Sequence, residues 1–308
     1  MTYLAEGTKT MDSSPRRSGL ATVLALLWAD KFATLAALFL LLLTVTCLVG
    51  PSLVGDAAGG INFAGRNTPP QFGKGFLYIL GGDNLGRSLL ARIMVGAQAT
   101  MGVAVAAVVT SLAVGALLGL IAGYRGGLVS DVIMRLTDMI MSFPSLLTAL
   151  VVLYVLGPSV GNLVIVLAIT RIPVYLRTTR AEVMEARSRV FVTAAIAMGA
   201  SPARVLLRHI VPIVLPTLLT IAAVDFATVI ITESGLSFLG LGIQAPDFTW
   251  GSMVATGRNY IASAWWLSFW PGLAITLTAL SLNILASWLR IVTDPQQRWR
   301  LEGGRKDD

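Results

Sequence analysis

Long apolar runs alternate with short polar segments along this 308-residue chain. A helix that crosses the roughly 30 Å hydrocarbon core of a bilayer needs about 20 residues at about 1.5 Å each. Six runs approach that length: residues 33–54, 97–124, 143–156, 163–176, 210–231 and 270–291. The pattern therefore predicts an all-α polytopic membrane protein with about six transmembrane helices.

The third and fourth apolar runs are short, and the sequence GPSVGN separates them. Gly157 and Pro158 open that segment, and both residue types mark turns. The two runs therefore predict a helical hairpin. The polar segments on either side of it, residues 125–142 and 177–209, are predicted to be loops.

Basic residues are distributed unevenly among the polar segments, and this predicts the orientation of the chain. Cytoplasmic loops of membrane proteins carry an excess of Lys and Arg. With the N-terminus inside, 17 of the 23 basic residues fall in the leader, the two predicted loops and the C-terminal segment that begins at Arg290. Both termini are therefore predicted to be cytoplasmic. The predicted parts are a cytoplasmic leader (1–31), a first span with an extracytoplasmic segment (32–80), a five-span core containing the cytoplasmic loop 177–209 (81–292), and a cytoplasmic tail (293–308).

Composition agrees with a membrane protein and argues against other classes. The chain is 55% hydrophobic and 13% charged, whereas soluble domains are about 25% charged. A net charge of +7 alone would suggest nucleic-acid binding, but the placement of the basic residues assigns it to membrane topology. The lipid bilayer is therefore an expected partner, and nucleic acid is not.

Catalytic and metal-binding patterns do not occur in the sequence. Its single histidine, His209, has neither a second histidine nor a cysteine nearby, and is expected to be structural or interfacial. No GxxxxGK[ST] motif is present, so the chain is not expected to hydrolyse ATP by itself. We therefore expect no catalytic residue, metal site or cofactor in this chain. Energy must come from another polypeptide or from an ion gradient.

Polar residues of the fifth predicted span are candidates for a translocation path. Asp225 lies within an apolar run, where a charge costs about 2.5 to 3.5 kcal/mol on insertion scales, so it should face protein or water. Thr228 and Thr232 follow at helical spacing, and Glu233 closes the span. Asn283 of the sixth span is the fifth candidate for this path. Two interpretations stay open: these residues line a path, or Asp225 forms a hydrogen-bonded pair between helices, for example with Asn283.

Small residues form a stripe along the second predicted span, where Gly115, Gly119 and Gly123 recur at a spacing of four. Such a stripe lets another helix approach closely. The approaching helix is expected to belong to this chain, and a subunit interface is the alternative.

A helix, a break and a second helix are predicted between the fourth and fifth spans, in the sequence VTAAIAMGASPARVLLRHIVP. Residues 190–198 favour a short helix, Gly199 suits a left-handed cap, Ser201 suits an N-cap and Pro202 suits the first helical turn. Small side chains predict a low-relief surface that fits a groove on another protein. They are Ala194, Ala195, Ala197 and Ala200.

Four segments of the sequence resemble the permeases of ABC importers. Ala194 and Ala195, with Gly199 four residues later and Pro212 thirteen residues after that glycine, resemble the EAA loop. ESGLSFLGLGIQAPDFTWGSM is similar to the LSFLGLG-x3-P-x3-WG signature of dipeptide and oligopeptide permeases. GGDNLGRSLLARIMVGAQ and GYRGGLVSDVIMRLTDMIMSFPSLL resemble further segments of these permeases, in the expected order.

The resemblance implies a type I ABC importer permease fold and, from the extra N-terminal span and long outer segment, a C-type subunit. It implies a B-type permease partner, two cytoplasmic subunits that bind ATP and Mg, and an extracytoplasmic solute-binding protein. It also implies the cell (cytoplasmic/inner) membrane and uptake of di- or oligopeptides. Nickel, haem or another solute is the alternative cargo. An ion-coupled secondary transporter built around Asp225 is the alternative from another class.

Two groups of site residues follow from the resemblance. The ATPase-coupling residues are Val192, Thr193, Ala194, Ala195, Met198, Gly199, Ala200, Ser201 and Arg204. The signature-loop residues are Leu236, Ser237, Phe238, Leu239, Gly240, Leu241, Gly242, Pro246, Trp250 and Gly251. Thr193 stands where the family motif commonly has glutamate, so a salt bridge from that position to an ATPase groove is not expected here. Ser88 stands where the family usually has aspartate.

Overall fold

The computed structural model describes residues 19–73 and 75–293, with side chains described for 24–73 and 75–292. Within these residues the regular structure is helical, apart from one isolated bridge between Gly82 and Ser88. A π-helical turn, Leu206–Ile210, joins α8 to α9. The helices are α1 (Gly19–Ala29), α2 (Lys31–Gly59), α3 (Leu89–Arg125), α4 (Gly127–Met141), α5 (Ser145–Leu156), α6 (Val160–Arg187), α7 (Val190–Ala197), α8 (Pro202–Val205), α9 (Val211–Phe238), α10 (Trp250–Arg258) and α11 (Trp266–Thr293).

Five described helical segments are long and apolar enough to cross a membrane: α2, α3, α6, the continuous segment Pro202–Phe238, and α11. The helices α4 and α5 pass the same test together but are bent by 84° at a short break, so they add a sixth crossing if they form one broken span. The predicted all-α class with about six spans is therefore confirmed.

Helix boundaries on the predicted cytoplasmic side differ from the sequence prediction. The segment 125–142, predicted to be a loop, contains the 15-residue helix α4. Charged residues interrupt its apolar pattern, so hydropathy alone missed an amphipathic helix. The helix α5 has 12 residues, or about 18 Å, which is too short to span a bilayer alone.

The fourth predicted span also extends beyond its apolar run. The helix α6 continues to Arg187, so the segment expected to be a loop from residue 177 leaves the helix only at residue 188. Hydropathy marks the membrane-embedded part of a helix rather than its end, because a helix continues into water with polar residues. In the predicted leader, residues 19–29 form α1. Residues 1–18 and the tail from 294 lie outside the described residues.

Close packing of α3 against α6 organises the bundle. A Cβ atom built on Gly119 would lie 2.5 Å from Thr179 Cβ, and one on Gly115 would lie 2.6 Å from Tyr175 Cβ. Only glycine permits two backbones to approach this closely. The glycine stripe therefore packs against a helix of the same chain, which was the first of the two interpretations.

Buried apolar side chains form successive layers along the bundle. One layer joins α3, α5, α6 and α9 near the middle. Another joins α6, α7, α8 and α9 at one end, and a third joins α3, α10 and α11 at the other. A smaller cluster ties α1 and α2 to α11 through Leu26, Ala33, Trp288 and Val292. Predicted outer and inner segments thus gather at opposite ends, as alternating crossings require. Which end faces the cytoplasm stays a prediction.

Candidate translocation and coupling sites

The buried carboxylate of Glu233 ties the end of α9 to the start of α10. Its Oε1 atom accepts hydrogen bonds from Ser237 Oγ at 2.7 Å and from Thr249 Oγ1 at 2.9 Å. The hydroxyl of Thr249 also accepts from the backbone N–H of Ser252 in a capping box that starts α10. Glu233 is 0% exposed. The outer loop is therefore fastened to α9 by a hydrogen-bonded cluster.

Glycines of the signature loop make this attachment possible. A Cβ atom on Gly242 would lie 1.8 Å from Ser237 Oγ, and one on Gly251 would lie 2.6 Å from Ser234 Cα. The loop thus lies directly on the backbone of α9, where any larger side chain would displace it. This close approach explains why the LGLG and WG elements of the signature have glycine at positions 242 and 251.

Trp250 attaches the C-terminal end of the signature loop to α3. Its indole Nε1–H donates to Ile93 O at 2.8 Å, and its backbone N–H donates to Thr100 Oγ1 at 3.1 Å. The signature residues thus divide by burial. Leu236, Ser237, Gly242, Trp250 and Gly251 are buried, Phe238 and Leu241 are partly buried, and Leu239, Gly240 and Pro246 are exposed.

An outer charged cluster lies beside the signature loop, and sequence reasoning missed it. Asp83 Oδ2 accepts from Arg87 Nε at 2.7 Å and lies 3.5 Å from Arg92 Nε. The Arg92 guanidinium stacks 3.9 Å above the Phe248 ring. Ser88, which replaces the usual aspartate, caps α3 by accepting from Ala91 N at 3.1 Å. The GGDNLGRS segment therefore has a structural function in starting α3.

We expect Glu233→Ala to release the outer loop. The hydroxyls of Ser237 and Thr249 would lose their acceptor, and each unsatisfied buried group costs about 1–3 kcal/mol. Amide hydrogen exchange in residues 239–252 should rise at least tenfold relative to the unaltered chain. Glu233→Gln is the matched control because its amide oxygen still accepts from both hydroxyls. Equal exchange in the alanine and glutamine variants would contradict the attachment.

Asp225 forms an ion pair with Arg171 of α6, and the proposed pairing with Asn283 is wrong. The Arg171 guanidinium donates to Asp225 Oδ1. Asn283 instead donates to Ala279 O of its own helix at 2.9 Å. The helix α6 is longer than its apolar run, so Arg171 lies near the middle of the helix. The sequence signal for this ion pair was the presence of an arginine within an apolar run.

The other candidate path residues are not brought together with Asp225. Thr228 and Thr232 donate to carbonyl oxygens of their own helix, Val224 O and Thr228 O. Glu233 is buried beneath the signature loop. Of the five candidates, only Asp225 lines the inner cavity, a space of about 800 Å³ between α6, α9 and α11.

The coupling segment has the helix, break and helix that the sequence predicts. The helix α7 ends at Ala197, and Gly199 has a left-handed φ of +82°. Ser201 Oγ accepts from the backbone N–H of Arg204 at 3.4 Å, and Pro202 opens α8. These three predictions are confirmed.

The exposed surface of the coupling segment is bulkier than the predicted low-relief surface. Ala195 and Val192 are buried in the chain's own core, whereas Val190 and Met198 are 85% and 82% exposed. The two motif alanines are adjacent in sequence, so their side chains leave α7 in different directions. Ala195 lies on the face that packs against the bundle, whereas Ala194 is exposed. Thr193, Ala194, Ala197, Gly199, Ser201 and Arg204 are exposed, and Ala200 is partly buried.

His209 lies in the π-helical turn that enters α9. Its ring centroid is 6.5 Å from that of Phe191, on α7. In the described part of the chain, no group of three His, Cys, Asp or Glu residues is placed to hold a metal ion. The contact with Phe191 connects the coupling segment to the start of α9.

These features define the class of protein: a multi-pass membrane protein with a short helix-turn-helix segment at one end of the bundle and a hydrogen-bonded loop at the other. Residues 115–299 match the family model described as "Binding-protein-dependent transport system inner membrane component". The chain belongs to this family and is a permease component of a transport system. This membership decides against the ion-coupled secondary transporter.

Relatives extend the similarity beyond that region. The di/tripeptide transport system permease protein DppC of Pseudomonas aeruginosa is 40% identical over 74% of this chain and 76% of the relative. The probable D,D-dipeptide transport system permease protein DdpC of Escherichia coli is 35% identical over 88% and 91%. A putative peptide transport system permease protein of Brucella abortus is 33% identical over 98% and 100%. The similarity thus includes the first span and the long outer segment.

Proposed function

We propose that this chain is the C-type permease subunit of an ATP-driven importer of di- or oligopeptides. The three relatives described above are named for peptide transport, and one of them matches nearly the whole chain. In the proposed assembly, a B-type permease subunit completes the path. Two cytoplasmic subunits bind ATP and Mg and hydrolyse the ATP, and an extracytoplasmic solute-binding protein delivers the peptide. The assembly is placed in the cytoplasmic (inner) membrane.

The connection between the coupling segment and the inner cavity carries the mechanistic part of the proposal. Val192 of α7 packs in one buried cluster with Ala186 of α6 and Val205 of α8. The helix α6 carries Arg171, and α8 continues into α9, which carries Asp225. Because packed helices shift as bodies rather than deform, a displacement of α7 moves the two walls of the cavity that α6 and α9 form. Closure of the ATPase dimer would supply that displacement.

The exposed face of α7 supports docking on another protein. Val190, Phe191, Ile196 and Met198 are large apolar side chains exposed at this end of the bundle, and Arg204 is exposed beside them. A short helix with an apolar face fits a groove on a partner. Because Thr193 replaces the usual glutamate, we assign the docking energy to these apolar contacts rather than to a salt bridge.

Growth on a peptide separates the proposed cargo from nickel, haem or another solute. Cells that require an amino acid should grow on a dipeptide containing it when this gene is present, and should stop when the gene alone is deleted. Restoring the gene should restore growth, and growth on the free amino acid is the control. Unchanged dipeptide growth in the deletion strain, together with loss of nickel or haem uptake, would favour the alternative cargo.

A further inference from the structure

An arginine and an aspartate face each other well inside the membrane-spanning helices α6 and α9. Arg171 lies 11 residues after the start of α6, and Asp225 lies 13 residues before the end of α9. At about 1.5 Å per residue, these positions are roughly 17 Å and 20 Å from the outer ends of the two helices. A charge at this depth is costly, so it marks either a protein-protein contact or an aqueous path.

The two partners of this ion pair differ in exposure. The Arg171 side chain is 27% exposed, whereas that of Asp225 is 3% exposed. Asp225 therefore lies behind the guanidinium, and the positive group faces the cavity. Oxygen Oδ2 of Asp225 and nitrogen Nε of Arg171 are buried and make no hydrogen bond within the described residues. The contact is thus made through one nitrogen and one oxygen, and it is not the bidentate pair that best satisfies both groups.

The surrounding cavity has the size and polarity of a ligand site. Its volume of about 800 Å³ lies within the range of roughly 300–1,000 Å³ that small-molecule sites occupy. Hydroxyl groups of Thr217, Thr220 and Ser287 line it together with the side chain of Arg290. The partly exposed guanidinium of Arg171 places a positive group on this wall, whereas its partner Asp225 is almost fully buried. The wall is therefore complementary to an anionic group on a small polar ligand.

We propose that Arg171 binds the C-terminal carboxylate of a peptide in transit through the inner cavity, and that Asp225 is the positioning residue that holds the guanidinium toward the cavity. This inference rests on the proposed function, and it adds a recognition site in this subunit. A guanidinium donates through several N–H groups in one plane, so Arg171 can keep its bond to Asp225 while presenting others to a carboxylate. Every free peptide carries this carboxylate whatever its side chains, so such a site recognises the backbone.

Cysteine protection tests the site in the complete transporter. The chain has a single cysteine, Cys47, so Cys47→Ser with Ser287→Cys places one thiol in the cavity wall. Inside-out membrane vesicles that carry both permease subunits and the ATPases expose the cavity to added peptide without the binding protein. The probes are a dipeptide and its C-terminal amide, and the readout is the rate at which a hydrophilic maleimide labels the thiol.

The dipeptide should slow labelling, and the amide should need about tenfold higher concentration for the same protection, because it lacks the charge-assisted hydrogen bond to Arg171. Arg171→Gln should abolish this difference, and Arg171→Lys should retain part of it. Asp225→Asn should reduce it while leaving labelling of the empty cavity unchanged. Arg177→Gln is the matched control, because it removes an exposed Arg–Asp pair on the same helix.

Equal protection by dipeptide and amide in the unaltered background would overturn the site, as would a difference that survives Arg171→Gln. If the ion pair only holds α6 against α9, the dipeptide and the amide should protect the thiol equally, because the ion pair would then affect both probes alike. ATP-driven dipeptide uptake by the assembly containing the unaltered chain is measured in parallel. Uptake without discrimination between the probes overturns only the carboxylate site, whereas absence of uptake overturns the proposed function.

Discussion

Gly119→Leu is expected to destabilise the fold strongly. A leucine at this position would drive α3 away from α6, because even its Cβ atom would lie 2.5 Å from Thr179 Cβ and 2.7 Å from Leu176 O. Overpacking of a well-packed contact costs about 1–3 kcal/mol, and here rigid backbone rather than a flexible side chain blocks relaxation, so we expect the upper end or more. The measurement is the thermal unfolding midpoint of the detergent-solubilised transporter, with the amount of chain in the membrane.

Gly102→Leu is the matched control for this prediction. Gly102 lies on the same helix, is exposed, and has no atom within 4 Å of its hypothetical Cβ. The two variants add the same side chain, so the helix propensity and hydropathy of α3 change equally. A midpoint lowered to the same extent in both variants would show that the α3–α6 contact is not the cause.

Gly199→Val is expected to uncouple ATP hydrolysis from transport while leaving the chain inserted. Gly199 is exposed and its surroundings are open, but its φ of +82° is strained for any side chain branched at Cβ. The strain of about 1–2 kcal/mol is relieved by turning α7 relative to α8. Peptide uptake should fall at least tenfold, and ATP hydrolysis should no longer respond to peptide-loaded binding protein.

Asparagine at the same position provides the control. Asn tolerates the left-handed conformation better than other side chains with a Cβ atom, so Gly199→Asn should keep the break and most of the uptake. Since both substitutions add a side chain to an open surface, a steric effect would reduce uptake in both. Equal uptake by the valine and asparagine variants would contradict the importance of the turn geometry.

Much of the bundle was predictable because apolar runs report membrane burial directly. The helix α4 was not, since it has a polar face with Asp131, Arg135 and Asp138, and its pattern is that of an amphipathic surface helix. The continuation of α6 to Arg187 was missed for a related reason. An apolar run ends where the chain leaves the hydrocarbon core of the membrane, whereas a helix ends where a capping residue or a non-helical backbone conformation terminates it.

The sequence predicted the candidate sites correctly where local backbone chemistry determines the conformation. It did not predict them where contacts between helices determine which residues meet. Gly199, Ser201 and Pro202 have their predicted positions in the turn because each satisfies a local backbone requirement. The predicted partner of Asp225 was wrong because more than one helix could supply a polar partner, and only the packing of α6 against α9 selects Arg171 over Asn283. Glu233 had a polar signal, but its burial depends on a loop that returns over α9 from sixteen residues away.

The signature loop illustrates how a family motif encodes structure. Gly242 and Gly251 are required by the contact of the loop with Ser237 and Ser234, and Trp250 anchors the loop on α3. Because these residues are engaged within the chain, the exposed positions Leu239, Gly240 and Pro246 are the ones available to a partner. The buried residues of the motif therefore fix the conformation of the loop that carries these exposed positions.

ATP-driven peptide uptake into proteoliposomes measures whether this chain is part of an ATP-driven peptide importer. The liposomes contain the two permease subunits with both ATPase subunits, ATP enclosed inside, and binding protein with radiolabelled dipeptide outside. We expect labelled dipeptide to accumulate against its gradient only when ATP and this chain are both present, and we expect Gly199→Val to abolish accumulation. Accumulation that continues without ATP, or without this chain, would show that the chain is not a required subunit of an ATP-driven importer.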